Sequence, residues 1–283
     1  MQRPPGLPAR VELSEVPHHA QLEQQCGPAV LAMLLGAIDI PADPLQLAEQ
    51  VYLPARGGSL QLEMLAGARR AGALACRLPG RLDTLLQELA AGLPVGVLLN
   101  LGLSWLPRWH YAVLVGFEFG TDELILRSGD QARARFSFAL FERCWARGGH
   151  WAIALTRPGH WPATASEAEA LQAAIGFERV APPAQALLAY RSLLVRWPGG
   201  LIAELGLGNS LRAAGELNAA AQAYEAAALR HDSAVAWINL AQARRQLGDA
   251  AGTRAAAERA LARAQRSEPR WLPLAERLLR DSP

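Results

Sequence analysis

Three side chains in the first 110 residues have the types and spacing for acyl-transfer chemistry: Gln21, Cys26 and His110. Cys26 opens the run Cys-Gly-Pro-Ala, and Ala29–Leu35 behind it is apolar and helix-forming, with Pro28 suited to a first helical turn. The pattern predicts a helix with Cys26 at or beside its N-cap. Unpaired amides and the helix dipole there favour an anion, which would lower the thiol pKa and make Cys26 a nucleophile. Gln21 stands five residues upstream and could supply an oxyanion-hole amide beside the Cys26 N–H. His110 lies in a strand-like run and could act as the base. Against this stands the ordinary use of free cysteine as a small core hydrophobe.

The remaining candidates read as structural. Cys76 and Cys144, with Cys26, make three cysteines whose spacing matches neither a disulfide framework nor a zinc site, so no metal and no cofactor are expected. Cys144 has no histidine within a helical turn and reads as packing. His18 and His19 read as surface residues, His150 as a structural histidine, and Asn100 as a turn residue. Trp105 and Trp109 flank His110 closely enough to line a peptide groove or to pack in the core.

Composition narrows the function classes. The chain has 283 residues, 51% hydrophobic and 19% charged, which suits two ordinary globular domains. A net charge of +2 and scattered arginines give no footprint for nucleic acid. No apolar run reaches the 20 or so residues of a transmembrane helix. Residues 1–13 begin as an extended Pro-rich lead-in, which would also suit the region after a removed export or lipid-anchor segment; the compartment stays open.

The elements that must position Cys26 and His110 follow in order. Val11–Val16 reads as a short edge strand. Asp43 can cap a helix over Pro44–Val51, Ser59 opens another to about Ala71, and Leu82–Ala91 is a further helix. Val95–Leu101 is strand-like, and Tyr111–Phe119 with Glu123–Arg127 reads as a hairpin. Phe138–Arg147 looks helical and His150–Leu155 closes with a strand. Helices first and an antiparallel sheet second make an α+β domain over 14–157. Residues 158–166, with two prolines and a glycine, read as a linker.

Residues 167–283 shift toward alanine, leucine and arginine. Leu207, Gly208, Gly215, Ala220, Tyr224 and Ala227 recur as Leu240, Ala241, Gly248, Thr253, Ala257 and Ala260, about thirty-three residues on. Ala186, Tyr190 and Pro198 suggest an earlier copy. These positions resemble the tetratricopeptide repeat, with Thr253 and Ala257 departing from it. The resemblance implies helix pairs stacked in a short solenoid, a capping helix over Trp271–Arg280, and a surface for a protein partner. A plain Ala-rich bundle is the simpler reading.

Gln21 with Cys26-Gly27-Pro28-Ala29, and Trp109-His110-Tyr111-Ala112-Val113-Leu114-Val115-Gly116-Phe117 further on, resemble the bacteriocin-processing cysteine peptidases, whose domain is papain-like. The resemblance spans residues 14 to 155. It implies peptide hydrolysis of a peptide or protein substrate: Cys26 as nucleophile, His110 as its partner, Gln21 at the oxyanion. Relatives carry an Asp on the strand after the histidine strand to orient the imidazole. Here Ser128 stands at or near that position, and Asp130 could substitute if the hairpin loop is longer. Loss of such a carboxylate can cost several orders of magnitude in rate. The readings that follow are a thiol peptidase with protein-binding repeats, a peptide-binding scaffold that lost efficient chemistry, and acyl transfer to an amine by the same Cys and His.

Overall fold

The computed structural model describes residues 3–20 and 26–281. In chain order the first part comprises β1 (Arg10–Glu12), α1 (Cys26–Gly36), α2 (Pro44–Val51), α3 (Gln61–Arg70), β2 (Leu74–Arg77), α4 (Leu82–Ala90), β3 (Val95–Asn100), β4 (Trp109–Glu118), β5 (Glu123–Ser128), β6 (Gln131–Ser137), α5 (Phe138–Arg147), β7 (Ala152–Thr156) and α6 (Glu167–Glu178). The seven strands form one sheet in the order β2-β7-β3-β4-β5-β6, with β1 added alongside β4. Every pairing is antiparallel. Since β5 occupies one edge of β4 and β3 the other over Trp109–Leu114, β1 continues the β3 lane where it meets Gly116–Phe117–Glu118.

Alternation along the strands gives the sheet two apolar faces. Tyr111, Val113 and Val115 pack with Ile153 and Leu155 under α1, α2 and α3. Ala112 and Leu114 pack with Val97, Leu99, Leu124 and Leu126 against α4 and α5. Side chains two apart share a face, so a strand buried on both sides is apolar on both, as β3 is from Val95 to Leu99. Helix α1 goes further: Gly27 through Leu35 are all buried, and such a helix is stable only inside the protein.

Local chemistry sets several helix starts. The Asp43 carboxylate accepts from the Leu45 N–H at 3.0 Å and Pro44 begins α2. Ser137 caps α5 through Leu140 N at 3.2 Å. Ser59 does not cap α3, which starts at Gln61 after Leu60; its carbonyl accepts the Tyr111 hydroxyl instead, at 3.2 Å. Strands β2 and β6 lie in stretches the sequence left unassigned.

Compactness divides the chain at Val180/Ala181. This lies beyond the expected 158–166 linker, for two reasons. Buried Glu88 on α4 accepts the Ala163 N–H at 3.0 Å and the Thr164 N–H at 2.6 Å, fixing that stretch. Helix α6 then buries Ala170, Ala173, Ala174 and Phe177, packing on β2 and α3.

The second unit is helical: α7 (Pro183–Arg196), α8 (Leu201–Ala213), α9 (Leu217–His231), α10 (Ala234–Gln246), α11 (Ala250–Ser267) and α12 (Leu272–Arg280). Each helix packs on the next. Helices α8 and α10, and likewise α9 and α11, begin thirty-three residues apart. The Tyr224 hydroxyl donates to Asn209 Oδ1 at 2.7 Å, tying α9 to α8. Among the described residues, no helix is long and apolar enough to cross a membrane.

Arg127 ties the sheet to the segment leading to Cys26. Buried beside Ser128, its guanidinium donates to Ser14 O at 3.0 Å, Val16 O at 3.2 Å and Ala132 O. Replacing it by Met strands these carbonyls. Arg127→Met should lower the unfolding free energy by about 3 kcal/mol, read from urea melts by circular dichroism. A change below about 1 kcal/mol would show that water replaces the guanidinium at no cost.

Candidate active site

Cys26 is the first residue of α1 and is partly buried. The backbone amides of Tyr111, on β4, and of Gly27 and Cys26 itself face its sulfur and act to lower the thiol pKa. The nucleophile candidate therefore touches the strand that carries His110, one residue from it. The approach needs Gly27: a Cβ there would lie 2.5 Å from Ser59 Oγ, so a side chain would push the helix start away from the α3 entry. Tyr111 completes the knot. Its ring meets Trp151 edge-on at 5.5 Å, its hydroxyl reaches Ser59 O, and its amide faces the sulfur.

His110 is the second residue of β4, opposite Leu99. Its Nε2 lies 2.8 Å from Ser128 Oγ. The β4–β5 register explains the contact. Val113 opposes Arg127, so one further step puts Ser128 opposite Ala112. His110 is then the diagonal neighbour on the same face, within reach of a ring.

Asp130 is not brought to the imidazole. Ser128 pairs with Gln131 across the tight turn, Gly129 takes φ +62°, and Asp130 is exposed at the tip. The longer loop that would let it orient His110 does not form. Gln21 lies outside the described residues. Ser128 is thus the ring's hydrogen-bonding side chain among the described residues.

The electrostatics run against the expectation for a helix start. Burial pushes the Cys26 thiol up, outweighing the three amides that pull it down. Burial pushes His110 down, helped by the Arg108 charge. Tyr111 is also pushed up, first by burial and then by the neighbouring sulfur, so its phenol stays neutral. Both directions favour thiol with neutral imidazole over thiolate with imidazolium at neutral pH. Ser128 adds a dipole and no negative charge.

The turn between β3 and β4 forms the approach. Buried Asn100 accepts from Gly102 N and Arg108 N, each at 2.9 Å, and so shapes the turn. Leu103 and Leu106 bridge across it. Trp105 and Trp109 are 78% and 56% exposed, offering apolar surface just before His110 instead of core. The other candidates are structural. His150 bonds Glu142 at 3.0 Å and meets Trp145 edge-on, Cys144 is buried, and His18 is half-buried, not at the surface. Among the described residues, no group of three or more His, Cys, Asp or Glu could hold a metal ion.

A partly buried cysteine at a helix start, a histidine on an antiparallel strand and a polar residue on the next strand coincide with a family relationship. Residues 13–153 match the Peptidase_C39 like family. This stretch is a Peptidase_C39-like domain. Its antiparallel sheet with packed helices fits that papain-like fold. The solved structures similar to this chain include a protein from Bacillus anthracis described as a C39-like peptidase. It is 21% identical, with TM-score 0.46, and 52% of this chain and 98% of that one are covered. Another is the peptidase domain of Streptococcus ComA, a bifunctional ABC transporter of a quorum-sensing pathway. It is also 21% identical, with TM-score 0.40, covering 49% of this chain and 96% of that one. No curated protein matches the chain.

The protonation order gives a direct measurement. Iodoacetamide labelling of Cys26 in the folded protein should show an apparent pKa on the alkaline side of an ordinary thiol, about 8.5. Cys76 and Cys144, both buried, should label only on unfolding. A Cys26 profile with a midpoint below pH 7 would mean a resting ion pair and would contradict the effect of burial.

Proposed function

We propose that the C39-like domain is a cysteine peptidase acting on peptide or protein substrates, and that the helical unit is a tetratricopeptide-like repeat domain binding a protein partner. The observation that carries the first part is the joint placement of Cys26 and His110. The sulfur rests on the amide of the residue after His110, while His110 Nε2 is occupied by Ser128. With Nε2–H donated to Ser128 Oγ, the lone pair is on Nδ1, the nitrogen left to take a proton from the thiol.

From a neutral pair the reaction begins with proton transfer. Nδ1 takes the Cys26 proton as Sγ attacks the scissile carbonyl carbon, and the carbonyl π electrons move to oxygen. The Cys26 N–H at the helix start, joined by the Gln21 carboxamide, stabilises that oxyanion, each donor lowering the barrier by roughly 3 kcal/mol. The C–N bond then breaks, imidazolium protonates the leaving amine, and water hydrolyses the thioester with His110 again as base. Trp105, Trp109 and Leu106 provide apolar surface for substrate side chains.

The recurrence of helix starts at Leu201 and Ala234, and at Leu217 and Ala250, supports the repeat reading. A second reading of the first domain rests on the raised thiol and lowered imidazole: a peptide-binding module with weak chemistry, serving as a scaffold.

A peptide aldehyde should attach to Cys26, shown by mass spectrometry, and not to the Cys26→Ser variant. Failure to attach while the peptide still binds would favour the scaffold reading. The serine makes a sharper prediction. Ser128→Asp should raise the His110 pKa, because an adjacent carboxylate favours imidazolium, and increase peptide turnover by about a hundredfold. Ser128→Ala should lower it about tenfold through loss of one hydrogen bond. Equal turnover in all three proteins would remove Ser128 from the mechanism.

A further inference from the structure

Three arginines in the first unit converge on a cavity that the Cys26 site does not use. Arg69 lies in the last turn of α3, Arg77 ends β2 and Arg179 follows α6; with Leu65 and Ile175 they line a space of about 430 Å³. Among the described residues, none of the three has a hydrogen-bond or ion-pair partner, and the buried Nε of Arg69 is left unmatched. Unpaired buried donors are rare, so the half-buried Arg69 guanidinium, beside the exposed Arg77 and Arg179, lacks a counter-charge.

The helix opposite is built around the guanidinium. Gly176 lies inside α6, where glycine is less favourable than alanine. A Cβ at that position would sit 2.3 Å from Arg69 Cζ and 2.7 Å from its Nε, so the guanidinium lies directly on the glycine backbone. A side chain there would require the Arg69 guanidinium to shift. Burial and the charge of Arg179 both push the Arg69 pKa down, consistent with two like charges facing one space. The acid at the rim, Glu169, is already engaged: its Oε2 accepts from Ser166 N at 2.9 Å and from Ser166 Oγ at 2.7 Å.

We propose that this cavity binds a small organic oxyanion, a carboxylate or phosphate head group on a short apolar body. The head group pairs with Arg69 and Arg179, whose planar guanidinium forks suit oxyanions, and the body lies along Leu65, Ala75 and Ile175. The volume is that of an ordinary small-ligand site. The site is independent of the peptidase reading, since it shares no residue with Cys26, His110 or Ser128.

The test uses the full chain at fixed ionic strength. Hexanoate and hexyl phosphate are the probes, acetate and inorganic phosphate are heads without a body, and hexanol is a body without a head. Calorimetric titration should give saturable one-site binding for at least one of the hexyl anions, at least about tenfold tighter than its head alone, and none for hexanol. The tighter of the two identifies the head group. Arg69→Gln should weaken binding about tenfold or more, and Arg179→Gln, at an exposed position, about threefold. Should Arg69→Gln fail to fold, the exposed Arg179→Gln decides alone. No saturable binding, equal response to every anion, or wild-type affinity in the folded variants would overturn the proposal.

Discussion

The contact between the Cys26 sulfur and the Tyr111 amide joins the helical face of the domain to the strand that bears His110. Other features of the site region serve to keep that contact. Helix α1 has no polar face, so it can exist only with its length enclosed, and its first residue is drawn in with it. Gly27 allows the closest approach, Tyr111 braces the strand against Trp151 and Ser59, and Arg127 holds the lead-in at Ser14 and Val16. A cysteine positioned this firmly loses hydration. The burial that fixes its geometry is the same burial that raises its pKa, and the two cannot be varied separately without loosening α1.

The sheet edge beyond β2 carries a related constraint. In the strand order β2 stands at one end, where unpaired backbone groups invite association with another chain. Helix α6 packs there, although it follows the stretch that matches the peptidase family, which ends at residue 153. Its alanines and Phe177 fill the space beside β2, while Glu88 fastens the intervening turn. Helix α6 thus packs on the end strand of the sheet and brings Gly176 against Arg69.

Much of this was legible in the sequence because the signals were local. Apolar runs of strand length, Asp43 before Pro44, and the thirty-three-residue spacing each leave a mark within a few residues or one period. Strands β2 and β6 left none: Leu74–Arg77 is only four residues, and Gln131–Ser137 is an edge strand with two arginines and one buried side chain. Their identity comes from partners distant in the chain. The same holds for the site. Residue type and spacing single out Cys26 and His110, but the role of the Tyr111 amide depends on how α1 meets β4, which no spacing records. A helix start favours a thiolate at Cys26, but the partial burial of the sulfur outweighs that effect. Asp130 could be placed only once the turn length was fixed, and Gly129 fixes it.

Neutral thiol and neutral imidazole at rest have a consequence for how such a site works. An ion pair is ready to attack before substrate arrives, and a carboxylate beyond the ring helps to hold it. With Ser128 in that place, the ring receives orientation and a dipole but no charge, and Arg108 opposes imidazolium further. In the proposed peptidase, charge separation would then occur during attack, when the developing oxyanion supplies the negative charge that imidazolium needs as a partner. That makes the donors at the start of α1 more consequential than they would be for a preformed thiolate, because they stabilise the only anion in the site. A pair of this kind is slow when idle and depends on a well-placed carbonyl, so substrate fit along the Trp105–Trp109 turn, more than the nucleophilicity of the free thiol, would govern its rate.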